Sequence, residues 1–370
     1  MSAAVVILVL GLVACSGSDE PGPAPPTSIP TRTAPSRVVD AVGAARQFLA
    51  DYVDPDGRVV RRDQGGDTVS EGQAYGLMLA VQADDSDAVQ RIWSWTVANL
   101  QRPDGLLSWR WAGGVVSDAN SAADADLYTA QALVLAGREF GDADLATAGT
   151  RVAQAVLDRE TTTTGLGRIL LAGTWTTSAP WQVNPSYAAP LAFDTLESAL
   201  PDPRWAQLRT GTTAVLTSLL RSSPLPPDWA QVQADGRVEA MPAPDGAAVG
   251  FGLDAARVVV QDSASCDAVD RATIATLAPV LVRAPDAVRG GYDLGGAATV
   301  QWSHPLALVA AAGAATAAGD RSSASQLLGA AADLDERTPT YYGSAWVALG
   351  AGLLGPAHTP ATPPHPPPRR

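Results

Sequence analysis

The sequence predicts an all-α domain built as a double ring, with one layer of helices inside another. Three observations carry this. Helical periodicity recurs from about residue 38 to 355, with little strand-type alternation. Some of these helices are apolar most of the way round, notably over Ala130–Ala136 and Leu306–Ala318, which marks them for burial on all sides. The helices come in pairs joined by longer loops bearing glycine and tryptophan. A helical solenoid is the competing architecture, and the absence of a fixed-period repeat weighs against it.

The elements follow in order. Val38–Tyr52 opens the series. Glu71–Gln82 and Ser86–Leu100 form a pair, and Trp93 and Trp95 inside the second read as interhelix packing. Asp124–Phe140 pairs with Asp142–Leu157, Tyr187–Leu200 with Pro203–Leu220, Asp254–Val260 with Asp267–Val282, and His304–Ala318 with Ser322–Asp335; Tyr341–Leu354 closes the run. Short strand-like pieces at Gly57–Arg62, Trp109–Val116 and Arg168–Leu171 decorate the loops.

The ends differ from this middle. Ala3–Val13 is an apolar run of signal-peptide size, too short for a mature transmembrane helix. Leu12-Val13-Ala14-Cys15 resembles a bacterial lipobox, although Met1-Ser2 lacks the usual positive charge. The expectation is a signal peptide over 1–15, lipidation at Cys15, and an extracytoplasmic, lipid-anchored protein, with secretion as the alternative. Residues 16–37 form a proline-rich spacer, 38–355 the catalytic-sized domain, and 356–370 a second proline-rich tail expected to be disordered.

Composition removes several function classes. The net charge of −13 repels phosphates, so a nucleic-acid partner is not expected. All 25 basic residues are arginine, which excludes a P-loop lysine and Schiff-base chemistry. His304 is the one histidine outside the tail, which strains a Ser-His-Asp triad or a histidine-rich zinc site; no metal or cofactor is expected. Cys15 and Cys266 make no disulfide framework. Cys266 reads as a structural or free thiol, and His304, at a helix start, as a hydrogen-bonding residue.

Carboxylates at helix starts remain. Thr68-Val69-Ser70-Glu71 reads structurally as a capping box. Asp124 and Asp126 suit a first turn through the helix dipole, and Asp254 suits an N-cap. In a double ring the inner helices run parallel, so these acids converge on one mouth. Glycoside hydrolysis needs little more than two such groups: an acid to protonate the leaving oxygen and a carboxylate to activate water or attack. Trp109 and Trp111 could stack on sugar rings there.

These segments resemble glycoside hydrolase family 8. Ser70-Glu71-Gly72-Gln73-Ala74-Tyr75-Gly76-Leu77-Met78 is similar to its general-acid segment, and Asn120-Ser121-Ala122-Ala123-Asp124-Ala125-Asp126 to its signature. Asn184-Pro185-Ser186-Tyr187 and Asp254-Ala255-Ala256-Arg257 follow in family order, and Pro227-Asp228-Trp229 and Tyr341-Tyr342 resemble segments of the endoglucanases associated with bacterial cellulose synthesis. The likeness covers most of Phe48 to Leu354. It implies an (α/α)6 barrel and endo-acting, inverting cleavage of β-1,4-glucan by a monomer without cofactor. By motif position it implies Glu71 as general acid, Asp254 as general base and Asp124 holding the sugar at the cleavage point. Arg257 and Tyr187 match positions beside the base, and Trp109 and Trp111 match aromatic positions in the glycan cleft. Ala123, Thr129 and Leu253 depart from the pattern, and Val282–Gln301 is hard to align, which leaves specificity there open. Glu71 is expected to be mostly buried beside Asp124, at about 6.5–9.5 Å from Asp254, the inverting range. Chitosan, xylan or mixed-linkage glucan cleavage, and glycan binding by an inactive surface lipoprotein, are the alternatives.

Overall fold

The computed structural model describes residues 37–355. The expected leader, Cys15, nearly all of the proline-rich spacer and the proline-rich tail lie outside them. Among the described residues no helix is long and apolar enough to cross a membrane.

Thirteen helices build two concentric rings among these residues. The inner ring comprises α2 (Ser70–Gln82), α4 (Ala123–Glu139), α6 (Pro190–Ala199), α8 (Leu253–Ser263), α11 (Pro305–Ala317) and α13 (Tyr341–Leu354). Each inner helix packs on the next, and α13 packs back on α2, so the ring closes. The outer ring comprises α1 (Ala41–Tyr52), α3 (Ser86–Asn99), α5 (Ala143–Arg159), α7 (Pro203–Ser222), the pair α9 (Ala268–Ala275) and α10 (Ala278–Leu281), and α12 (Arg321–Arg337). This is an (α/α)6 barrel.

Burial follows the sequence pattern. The central helix α11 is buried over Pro305–Ala315, and α4 over most of its length, because partners surround them. Outer helices bury one stripe: α5 buries Leu145, Gly149, Val152, Ala153 and Val156 and leaves its other face wet. A separate small core of Ile169, Leu171, Val183, Val215, Leu219, Ala230 and Val232 lies between α7 and the loop strands.

The helix starts divide by ring. All six outer helical segments that follow a loop begin with an aspartate cap: Asp40, Asp85, Asp142, Asp202, Asp267 and Asp320 each accept from a backbone N–H of their own first turn. The inner helices α2, α4, α6 and α8 have Val69, Ala122, Ala189 and Gly252 at that position, with no side-chain cap of their own. Glu71 of α2 and Asp254 of α8, in the first turns of their helices, accept from no backbone N–H there and point elsewhere.

Three expectations are corrected. The run expected as one helix over Asp267–Val282 breaks between α9 and α10, because Pro279 has no N–H to donate and its ring would crowd the preceding turn. Gly57–Arg62 is no strand: it makes only the isolated bridges Val53↔Val59 and Arg61↔Asp67, and Arg62 begins a 3-10 turn. The helix expected from Tyr187 starts at Pro190; Pro185–Tyr187 is a separate 3-10 turn.

The loop strands form three small antiparallel sheets. β1 (Thr68–Val69) pairs with β2 (Arg110–Ala112), which pairs with β3 (Val115–Asp118). β4 (Thr161–Thr164) pairs with β5 (Gly167–Leu170). β6 (Trp181–Val183), β7 (Ala230–Val232) and β8 (Val238–Ala240) form the third. The loops that precede the inner helices all lie at the end where those helices begin.

Candidate active site

Arg257 on α8 organises that end. Its guanidinium is only 1% exposed and binds three carboxylates from three inner helices. Nη1 donates to Glu71 Oε2 at 3.0 Å and to Asp124 Oδ2 at 2.8 Å; Nη2 donates to Asp254 Oδ1 at 2.9 Å. Nη1 also reaches the Tyr75 hydroxyl at 3.2 Å, which accepts from Trp346 Nε1 at the same distance. The Tyr187 ring lies beside the guanidinium, 5.5 Å from its carbon to the ring centre. Glu71 and Asp254 bind opposite arms of one rigid fork, so their nearest oxygens are at most about 8 Å apart. Both side chains therefore belong to one face of the barrel.

The capping readings of Glu71 and Asp254 do not hold, whereas Asp124 lies in the first turn of α4 and its Oδ1 accepts from Ala125 N at 2.8 Å. Thr68 Oγ1 donates to the Val59 carbonyl at 2.7 Å and accepts from Arg58, so no capping box forms with Glu71. Asp254 leaves the α8 backbone donors alone. Asp228, in the loop before β7, takes them instead: its Oδ1 accepts from Gly252 N at 2.9 Å and from Ala255 N at 2.7 Å. Gly252 has to be glycine here, since a Cβ would run into the Asp228 carboxylate. The second Asp254 oxygen accepts from Asn184 Nδ2 at 2.8 Å, and Asn184 is fixed by Ser186 through its Oδ1.

Exposure separates the three acids. Asp124 is 2% exposed, whereas Glu71 is 22% and Asp254 32% exposed, so two of the three can meet solvent or ligand. Burial pushes the Glu71 carboxyl up to about 7, against the pull of Arg257 and with help from the Asp124 and Asp254 charges. Asp124 is raised too, by burial, with Arg257 opposing. Burial and the Asp254 charge bring Asp228 up to about 6. One arginine facing several carboxyls leaves the cluster a proton to hold near neutrality.

Below Asp124 lies a second acid pair. Burial and the neighbouring Glu160 hold Asp126 well above the usual carboxylate range, and burial brings Glu160 up to about 8. Asp126 of α4 accepts from Leu107 N at 2.8 Å and Glu160, at the end of α5, accepts from Ser121 Oγ at 2.7 Å, which ties the loop before α4 to both helices.

The aromatic residues surround the cluster. Trp109 is half-buried beside it: its carbonyl accepts from Ser70 N at 2.9 Å, next to Glu71. Trp111 sits farther into the wall, with Arg58 4.5 Å above its ring and Trp95 edge-on at 5.5 Å. Across α6 and α8, Trp175, Trp229 and Tyr187 form a continuous aromatic run, with ring centres 6.4 and 6.0 Å apart. Trp175, Trp229, Asn184 and Asp228 are the residues that sequence reasoning left without a role. For Asn184, Asp228 and Trp229 the signal was present only as motif context, in Asn184-Pro185-Ser186-Tyr187 and Pro227-Asp228-Trp229; Trp175 lies in neither motif. Among the described residues no cluster of three His, Cys, Asp or Glu side chains is disposed to hold a metal. His304 caps α11, its Nδ1 accepting from Leu306 N at 3.2 Å, and Cys266 is an exposed free thiol.

The family model for glycosyl hydrolases family 8 matches residues 36–354. The chain is 35% identical over 192 residues to a probable endoglucanase of Novacetimonas hansenii, covering 50% of this chain and 56% of that one. It is 33% identical over 207 residues to an endoglucanase of Escherichia coli strain K12, covering 52% and 55%. The chain thus spans little more than half the length of these curated relatives. The solved endo-β-1,4-glucanase CMCax from Acetobacter xylinum superposes with a TM-score of 0.72 at 28% identity, over 86% of this chain and 98% of that one.

Proposed function

The chain belongs to glycosyl hydrolases family 8, and from that premise we propose that it is an endo-acting hydrolase of β-1,4-glucan that works with inversion. The observation that carries the reading is the meeting of Glu71, Asp124 and Asp254 on one buried guanidinium at the mouth of the inner ring. Glu71, with its carboxyl raised to about 7, is the general acid that protonates the leaving glycosidic oxygen. Asp254, held by Arg257 and Asn184 and kept off the backbone by Asp228, is the general base that takes a proton from the attacking water. The bond from water oxygen to anomeric carbon forms as the bond to the leaving oxygen breaks, on the opposite face. Asp124, anchored in the first turn of α4, holds the sugar at the cleavage point, and Trp109 and the Trp175–Trp229 pair line its path.

A neutral polymer suits this mouth better than cationic chitosan. The further carboxylate Asp67 is neutralised by Arg61 and Arg110, both at 2.7 Å. The names of the Novacetimonas hansenii and Escherichia coli relatives, probable endoglucanase and endoglucanase, favour the same substrate. The lipobox-like Leu12–Cys15 and the spacer after it support an extracytoplasmic, membrane-anchored location.

The test is release of reducing ends from carboxymethylcellulose, barley glucan, xylan and chitosan by wild type, Glu71→Gln and Asp254→Asn. Cleavage of the glucans by wild type alone is expected. Undiminished activity in Glu71→Gln removes Glu71 from its role, and preference for xylan or chitosan replaces the substrate.

A further inference from the structure

Six of the ten tryptophans lie in loops that precede inner helices: Trp109, Trp111, Trp175, Trp181, Trp229 and Trp302. Five of these are buried or half-buried. Trp302, in the loop before α11, is 51% exposed, and among the described residues it is the one large aromatic side chain left so open. An exposed indole offers a large apolar face with a polar N–H at its edge, the form that suits contact with a sugar ring.

Its position is fixed. The six-membered part of the indole lies against buried Gly290, where a Cβ would collide with it, and Gly290 N donates to the Trp302 carbonyl at 2.9 Å. The same loop is tied to the Asp254 side of the mouth: Phe251 and Tyr292 exchange both backbone hydrogen bonds at 2.9 Å, three residues before Asp254. Two residues after Trp302, the His304 ring lies 6.0 Å from Tyr342, which lies 6.4 Å from Tyr75 of the Arg257 cluster. In the closed ring α11 stands opposite α4, so the loops that carry Trp302 and Trp109 lie on opposite sides of the mouth. An indole seated against a glycine and half open to solvent offers apolar surface to the C–H face of a pyranose.

We propose that Trp302 forms a distal sugar-binding subsite on the α11 side of the mouth, stacking on a pyranose ring of a bound β-glucan beyond the residues being cleaved. The proposal rests on the glucan reading above. None of the Trp302 contacts touches the Arg257 cluster, so only a chain long enough to cross the mouth engages it. The segment Val282–Gln301 supplies the Gly290 seat.

The test uses the full enzyme carrying Glu71→Gln, so that ligand is bound without being cleaved. Titration calorimetry compares cellotriose and cellohexaose in this parent and after adding Trp302→Ala or Trp302→Phe. Trp302→Ala is expected to weaken cellohexaose about tenfold and to leave cellotriose within about twofold, with Trp302→Phe restoring most of the loss. Unchanged cellohexaose affinity in Trp302→Ala, equal losses for both lengths, or no rescue by Phe overturns the subsite while the glucan reading stands. A parent that binds neither oligosaccharide overturns both.

Discussion

Replacing Glu71 by Gln should abolish catalysis and stabilise the fold, and the stabilisation should depend on pH in a defined way. The Glu71 carboxyl is raised from an ordinary 4.5 to about 7 in the folded protein. Between those values the folded chain keeps a proton that the unfolded chain releases. Wild-type stability therefore falls as pH rises from 4.5 to 7 and falls no further from this group above 7. At 1.36 kcal/mol per pH unit, ionising Glu71 in place costs the folded state about 3 kcal/mol. The side chain is only 22% exposed, so solvent screens little of this. Glutamine has nearly the same shape and does not titrate. The advantage of Glu71→Gln should be near zero at pH 4 and reach about 3 kcal/mol at pH 8. Urea denaturation of both proteins at pH 4, 6 and 8 reads this directly. A difference independent of pH, or a variant less stable at pH 8, refutes the claim that burial holds a proton on Glu71.

Other predictions follow from the same cluster. The kcat/KM of wild type should fall on the alkaline side with a midpoint near 7, as the proton on Glu71 is lost; a flat profile from pH 6 to 8.5 contradicts this. Arg257→Leu should destabilise the fold by about 3–5 kcal/mol at pH 8, because Asp124 and Glu71 lose their buried counter-ion, and by clearly less at pH 5, where raised carboxyls take up protons; denaturation at the two pH values checks the order. Asp228→Ala should cost about 1 kcal/mol of stability and lower kcat with little change in KM, since the free donors of Gly252 and Ala255 draw Asp254 back to the backbone. Asp228→Asn, which keeps the acceptor oxygen, should restore most of kcat; equal defects in both variants contradict a positioning role.

The barrel was legible because burial leaves a plain mark on sequence. The all-round apolar stretches Ala130–Ala136 and Leu306–Ala318 fall in inner helices, and the outer helices begin at aspartates whose role is local capping. Where the sequence reading erred, a local signal was overruled. Pro279 breaks an otherwise continuous helical pattern, and the valine pair Val59-Val60 within Gly57–Arg62 finds only isolated bridging partners. The site was half legible. Glu71, Asp124, Asp254 and Arg257 lie in short motifs on three helices, so their approach follows once the ring is closed. Asp228 could not be assigned from spacing, because its partners Gly252 and Ala255 are more than twenty residues away and its effect is to spare another carboxylate from capping. The aromatic run from Trp175 through Trp229 to Tyr187 depends likewise on loops that meet only in three dimensions.

The stereochemistry of the first product tests the pairing of Glu71 with Asp254 most directly. Proton NMR of cellohexaose during the first minutes of hydrolysis separates the α- and β-anomeric signals before mutarotation mixes them. If Asp254 activates a water beneath the sugar while Glu71 protonates the oxygen above it, the new reducing ends appear as the α-anomer. New reducing ends that appear as the β-anomer would mean retention, with one carboxylate attacking the sugar itself, and the division of roles between Glu71 and Asp254 would be wrong.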